Sequence, residues 1–153
     1  MTARVAALRL LAARRLTEAQ LWARLERRGF THDETRAAVE SVKSDGFLDD
    51  SLFARLFVDG RTKAVGDARL VAELVRRGID REAARRSVGA AERGESERLD
   101  AALDKLFRTR ASLSYPSAAR ALERLGFPAP SIYRTLRARA QNEGWEVVAE
   151  DSD

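Results

Sequence analysis

Leu25-Glu26-Arg27-Arg28-Gly29-Phe30 returns as Leu74-Val75-Arg76-Arg77-Gly78-Ile79 and again, more loosely, as Leu122-Glu123-Arg124-Leu125-Gly126-Phe127. Each copy reads as the end of a helix, with basic side chains near the negative end of the dipole and glycine just past it. Gly29, Gly78 and Gly126 lie 49 and 48 residues apart, each preceded at four positions by leucine and followed by a bulky apolar residue. A period of this length marks an array of supersecondary units rather than one globule. Units of about fifty residues bury too little surface to be very stable alone, so neighbours are expected to share their interfaces.

Each ending falls in the middle of a helical triplet. Val5, Leu8, Leu11 and Ala12 predict a first helix over residues 4–15. Thr17 with Gln20 has capping-box spacing and opens a second, with Leu21, Trp22 and Leu25 on its apolar face. Thr31 with Glu34 opens a third, through Ala38, Val39 and Val42. In the middle triplet Asp49 and Asp50 are suited to cap a helix whose Leu52, Phe53, Leu56 and Phe57 recur at helical spacing, which predicts a buried, heavily aromatic face. Leu70, Val71 and Leu74, then Ala83, Ala84 and Val88 behind Asp80, complete it. A last triplet places Leu99, Ala102, Leu103, Leu106 and Phe107 on one helix, starts the next at Tyr115-Pro116, and buries Ile132, Leu136 and Ala140 in the ninth. The expected fold is all-α, an elongated, curved array of three tandem three-helix repeats at 1–47, 48–94 and 95–142, followed by an acidic segment at 143–153.

Composition agrees with that class and restricts function. Among 153 residues there are 9 Gly and 3 Pro, with abundant Ala, Leu, Arg and Glu, the residues that lose least on entering a helix. No run approaches the roughly 20 apolar residues of a membrane span, and the N-terminus does not read as a signal peptide, so a cytoplasmic protein is expected. With no cysteine and one histidine, His32, neither disulfide nor zinc chemistry is expected. No phosphate-cradling glycine motif is present, and Asp49-Asp50 has no histidine or ligand set beside it, so neither an enzyme nor a cofactor or metal is expected. His32 reads as an exposed first-turn residue, Trp22 as core, and Trp145 as packing back on the last helix.

The net charge of +4 conceals a split. Residues 1–142 carry +9 and residues 143–153 carry −5, and 25 of the 28 basic residues are arginine, whose planar fork suits phosphate or carboxylate. Arg27, Arg76 and Arg124 stand two positions before the three glycines. In part this complements the helix dipole. It also predicts a periodic basic stripe fitted to a polymer, either DNA or a protein filament. The candidate partner-binding residues are Arg27, Arg28, Arg61, Lys63, Arg69, Arg76, Arg77 and Arg124. Asp49, Asp50, Phe53, Phe57, Gly29, Gly78 and Gly126 are read as structural. Helical triplets with a glycine-containing turn also resemble helix-turn-helix units, so a non-sequence-specific DNA-binding protein is the alternative; the mixed charges of residues 31–44 and 80–91 argue against a sequence-reading helix.

The chain resembles the RecX family of RecA modulators from about Leu8 to Ala140. The most specific residues are Leu48-Asp49-Asp50, Phe53-Ala54, Phe57-Val58 and Arg61, continuing with Gly66, Leu70, Glu73-Leu74 and Arg77-Gly78-Ile79. Ala7-Leu8, Leu11, Arg14, Leu21, Leu25 and Arg28-Gly29-Phe30 add to it. The third unit agrees more loosely, with Leu125 where the first two have a basic residue before glycine. The resemblance implies three tandem three-helix repeats and a cytosolic regulator of recombination and the DNA-damage response; a monomer is expected. Such a protein binds in the groove of the RecA filament on single-stranded DNA and contacts DNA weakly itself.

Overall fold

The computed structural model describes residues 1–143; the acidic segment beyond Glu143, with Trp145, lies outside the described residues. Among those described, nine helices and no strands are formed. They are α1 (Ala3–Ala13), α2 (Glu18–Arg27), α3 (His32–Ser44), α4 (Asp50–Asp59), α5 (Asp67–Arg76), α6 (Arg81–Gly89), α7 (Glu95–Thr109), α8 (Tyr115–Arg124) and α9 (Ala129–Asn142). The caps are local and chemical. Thr17 and Gln20 form the reciprocal capping box, Thr31 accepts from the Glu34 amide, Asp80 from Ala83 and Ser114 from Ser117.

The recurring glycine is a backbone device. Gly29, Gly78 and Gly126 adopt φ of 92°, 93° and 90°, the left-handed region open to glycine. The next amide then reaches back across the turn: Phe30 donates to the Leu25 carbonyl at 3.4 Å, Ile79 to Leu74 at 3.1 Å and Phe127 to Leu122 at 3.3 Å. The glycine amides donate to Glu26, Val75 and Glu123 at 2.9–3.0 Å, completing a Schellman ending at each site. The leucine and the bulky residue of the repeat are thus the two ends of one hydrogen bond. Gly46, φ 83°, ends α3 in the same way, with Phe47 donating to Val42.

Two compact units result. One comprises Met1–Arg61 and Leu70–Glu92, the other Thr62–Arg69 and the described residues from Arg93 onward. In the first, α1, α2 and α3 enclose Leu21, Leu25, Val39 and Val42, all at most 1 % exposed, and α4 packs on α6. In the second, α7, α8 and α9 close around Leu99, Leu103, Leu122, Phe127, Ile132 and Leu136. Truncating any of these leucines to alanine removes about 2–5 kcal/mol.

Two expected faces are displaced. Leu52 and Leu56 are 40 % and 37 % exposed, and Phe53 and Phe57 are half-buried, while the fully buried side of α4 is Ala54 and Val58. On α1, Ala3, Ala6, Ala7 and Leu10 are buried, Leu8 and Leu11 are half-buried, and Val5 and Ala12 are exposed. In both helices the periodic large side chains mark a different side from the buried one, which carries alanine: Ala54 in α4, and Ala3, Ala6 and Ala7 in α1. Trp22 is likewise half-buried, its indole N–H donating to Glu26 at 2.7 Å.

Candidate interaction surface

The helix ends that create the repeat also place its charges. Arg24, Arg27 and Arg28, in the last turn and cap of α2, surround Leu10 in an open depression of about 370 Å³. No acidic side chain lines it among the described residues. Arg27 and Arg28 are exposed and Arg24 is half-buried. Three cations beside the carbonyl end of a helix offer a favourable place for an acidic group.

The corresponding turn of α5 is divided. Arg76 is exposed, but the Arg77 guanidinium lies 4.5 Å from the Phe57 ring centroid and donates to the Glu73 carbonyl at 2.9 Å. Arg61 lies 5.7 Å from the same centroid and forks onto the Glu73 carboxylate at 3.1 and 3.2 Å. Phe53 stacks on Phe57 at 6.3 Å with the rings 8° from parallel. Glu73 is 9 % exposed, so its charge is held by partners rather than by water. Arg61 and Arg77 thus serve the packing of α4 against α5, a role their charge alone does not reveal.

Elsewhere, Arg124 ends α8 exposed and Arg69 is half-buried in the first turn of α5. Lys63 joins Arg93, Lys105 and Arg108 around a second groove, of about 320 Å³. Sequence reasoning misses Arg24, Arg93, Lys105 and Arg108. Lys105 and Arg108 carry a signal in their i, i+3 spacing, whereas Arg93 is brought to them by a turn with no periodic mark.

Asp49 and Asp50 part company. Asp49 caps its own helix, accepting from the Leu52 amide at 3.1 Å. Asp50 instead accepts from the Glu18 amide at 2.8 Å, capping α2. Burial raises the Asp50 pKa above its ordinary 3.8, opposed by that amide. The structure repeats this junction at α5, where Glu95, the first residue of α7, accepts from the Asp67 amide at 2.7 Å. Among the described residues no group of acids and histidine is arranged to hold a metal, and no helix is long and apolar enough to cross a membrane.

Comparison with known proteins identifies the lineage. A family model described as RecX, first three-helix domain, matches residues 3–41. The Regulatory protein RecX of Thermobifida fusca is 34 % identical over 95 % of this chain and 82 % of its own length. That of Thermus thermophilus is 35 % identical over 92 % and 94 %. The crystal structure of RecX from Lactobacillus salivarius has the same fold at 17 % identity, with a TM-score of 0.78 over 89 % of this chain and 93 % of that one. With identity of this level running along nearly the whole chain, the protein belongs to the RecX family of regulatory proteins.

Proposed function

We propose that this protein binds the RecA nucleoprotein filament on single-stranded DNA and restrains its ATPase, recombinase and coprotease activities, acting as a cytoplasmic monomer built of three helical repeats. One observation carries the reading beyond family membership. The same helix ending presents an exposed arginine at Arg27, Arg76 and Arg124, and a repeated cationic point suits a repeated acidic partner. Binding that favours one filament state over another shifts its activity without any chemistry by the modulator. Arg27, Arg28, Arg76 and Arg124 supply the electrostatic contact, together with Lys63 and Arg69; Arg61 and Arg77 hold the scaffold.

The test is RecA ATP hydrolysis on single-stranded DNA, titrated with wild type and with Arg27→Glu/Arg28→Glu/Arg76→Glu, beside a DNA-only binding assay. The triple variant should keep its helical content and require roughly tenfold more protein for equal inhibition. Unchanged inhibition at moderate salt would remove these arginines from the contact. The cationic depression at α2 also favours a second reading, direct non-specific DNA binding with a steep salt dependence. Binding to bare DNA with no effect on RecA would select it.

A further inference from the structure

The groove on the second unit differs in kind from the arginine-lined depression at α2. Lys63, Arg93, Lys105 and Arg108 stand around a floor that includes Leu106 and Leu125, with alanines between. All four cations are exposed, and neither an acid nor an aromatic ring lines the groove among the described residues. A strand of nucleic acid gains much of its affinity by stacking bases on aromatic side chains, which this floor does not offer. Cationic walls over an aliphatic floor match a peptide that combines carboxylates with apolar side chains.

This chain contains such a peptide. Residues 145–153 read Trp-Glu-Val-Val-Ala-Glu-Asp-Ser-Asp, four carboxylates with a tryptophan and two valines. The end of α9 is fixed close to the groove: Arg139 pairs with Asp104 and lies 5.8 Å from the Phe107 centroid. Lys105, Leu106 and Arg108 belong to that same stretch of α7. Residues 144–153, fully extended, reach up to about 33–36 Å, several times the roughly 10–12 Å diameter of a helix. We infer that the groove of Lys63, Arg93, Lys105 and Arg108 is a seat for the acidic segment 145–153. Docked there, the segment neutralises this face and must be displaced by any acidic partner that uses it, so its charge sets how readily the face engages. The docking does not depend on which polymer the α2 and α5 arginines contact.

The full chain carrying Trp22→Phe makes Trp145 the single tryptophan. Acrylamide quenching of its fluorescence is compared among that chain, its Arg93→Glu/Lys105→Glu/Arg108→Glu variant, and its Glu146→Gln/Glu150→Gln/Asp151→Asn/Asp153→Asn variant, at low and high salt. With circular dichroism unchanged, either set should raise the quenching constant at least about twofold at low salt, and salt should do the same to the parent. Equal quenching in all three at low salt overturns the proposal. A fluorescent oligothymidylate is the second probe. If the groove reversal abolishes its binding while Trp145 is equally accessible throughout, the groove belongs to nucleic acid and the proposal falls.

Discussion

The N-terminus of α2 and the N-terminus of α5 are the same junction built from different residues. At α2 the Asp50 carboxylate caps the Glu18 amide, the Thr17 hydroxyl donates to the Arg77 carbonyl at 2.5 Å, and Gly78 packs on Ala19. At α5 the Glu95 carboxylate caps Asp67, the Gly66 amide donates to the Leu125 carbonyl at 2.9 Å, and Gly126 packs on Arg69. A side-chain hydroxyl at one site is replaced by a backbone amide at the other, and each reaches the carbonyl just before the turning glycine. The α5 junction is tighter. A Cβ on Gly66 would lie 2.0 Å from the Gly126 carbonyl oxygen, whereas one on Gly78 would meet the Ala19 Cβ at 2.3 Å. It also holds Arg98, 7 % exposed, which donates to the Val65 carbonyl at 2.5 Å and to Arg93 at 3.1 Å and pairs with Asp67. Three positions into α4, at the place Arg98 takes in α7, stands Phe53, half-buried on Phe57. Conserving the bond geometry leaves the choice of donor free.

The sharpest way to break the equivalence is at the glycines. Gly66→Ala meets backbone that cannot step aside, and should cost about 3 kcal/mol or more in urea unfolding. Gly78→Ala should also destabilise, but Ala19→Gly in the same chain should recover part of the loss, because the clash there is with a methyl group and only the φ strain remains. No recovery would mean that the close approach is unimportant. Arg98→Met comes next: it strands a buried carbonyl and unpairs Asp67, at roughly 2–4 kcal/mol. Thr17→Val should cost about 1–2 kcal/mol by removing both the cap and the bond to Arg77, with Thr17→Ser restoring most of it.

The smallest effect is electrostatic. A carboxyl whose folded pKa lies above 3.8 binds more protons folded than unfolded, so its contribution is fullest below 3.8 and is lost as pH rises through the folded value. Asp50→Asn can still accept from Glu18 without that penalty. The variant should therefore gain on wild type between acid and neutral pH, and a gap independent of pH would rule this linkage out.

Helix starts and stops were legible because their signals are local: Thr17 with Gln20, Thr31 with Glu34, and glycine past a leucine-led ending. The buried sides of α3, α5, α6, α7 and α9 followed from periodicity, down to Ile132, Leu136 and Ala140 in α9. The aromatic side of α4 did not: the fully buried positions are Ala54 and Val58, and Leu52 and Leu56 are left to solvent. Arginines were visible as a class, yet Arg27 and Arg77, at nearly the same place in their turns, have different work: Phe57 and Glu73 are on hand only for the second. Their proximity is a matter of chain path and leaves no mark in spacing.

By itself, the sequence determined an all-helical chain, its period and the places where helices end, since capping and the glycine conformation act within six residues. Only the tertiary structure decided which acid caps which helix, which glycine must admit a neighbour and which cations remain available to a partner. Those outcomes depend on groups up to 60 residues apart, as Thr17 and Arg77 are, and such pairs meet only once the intervening helices have packed.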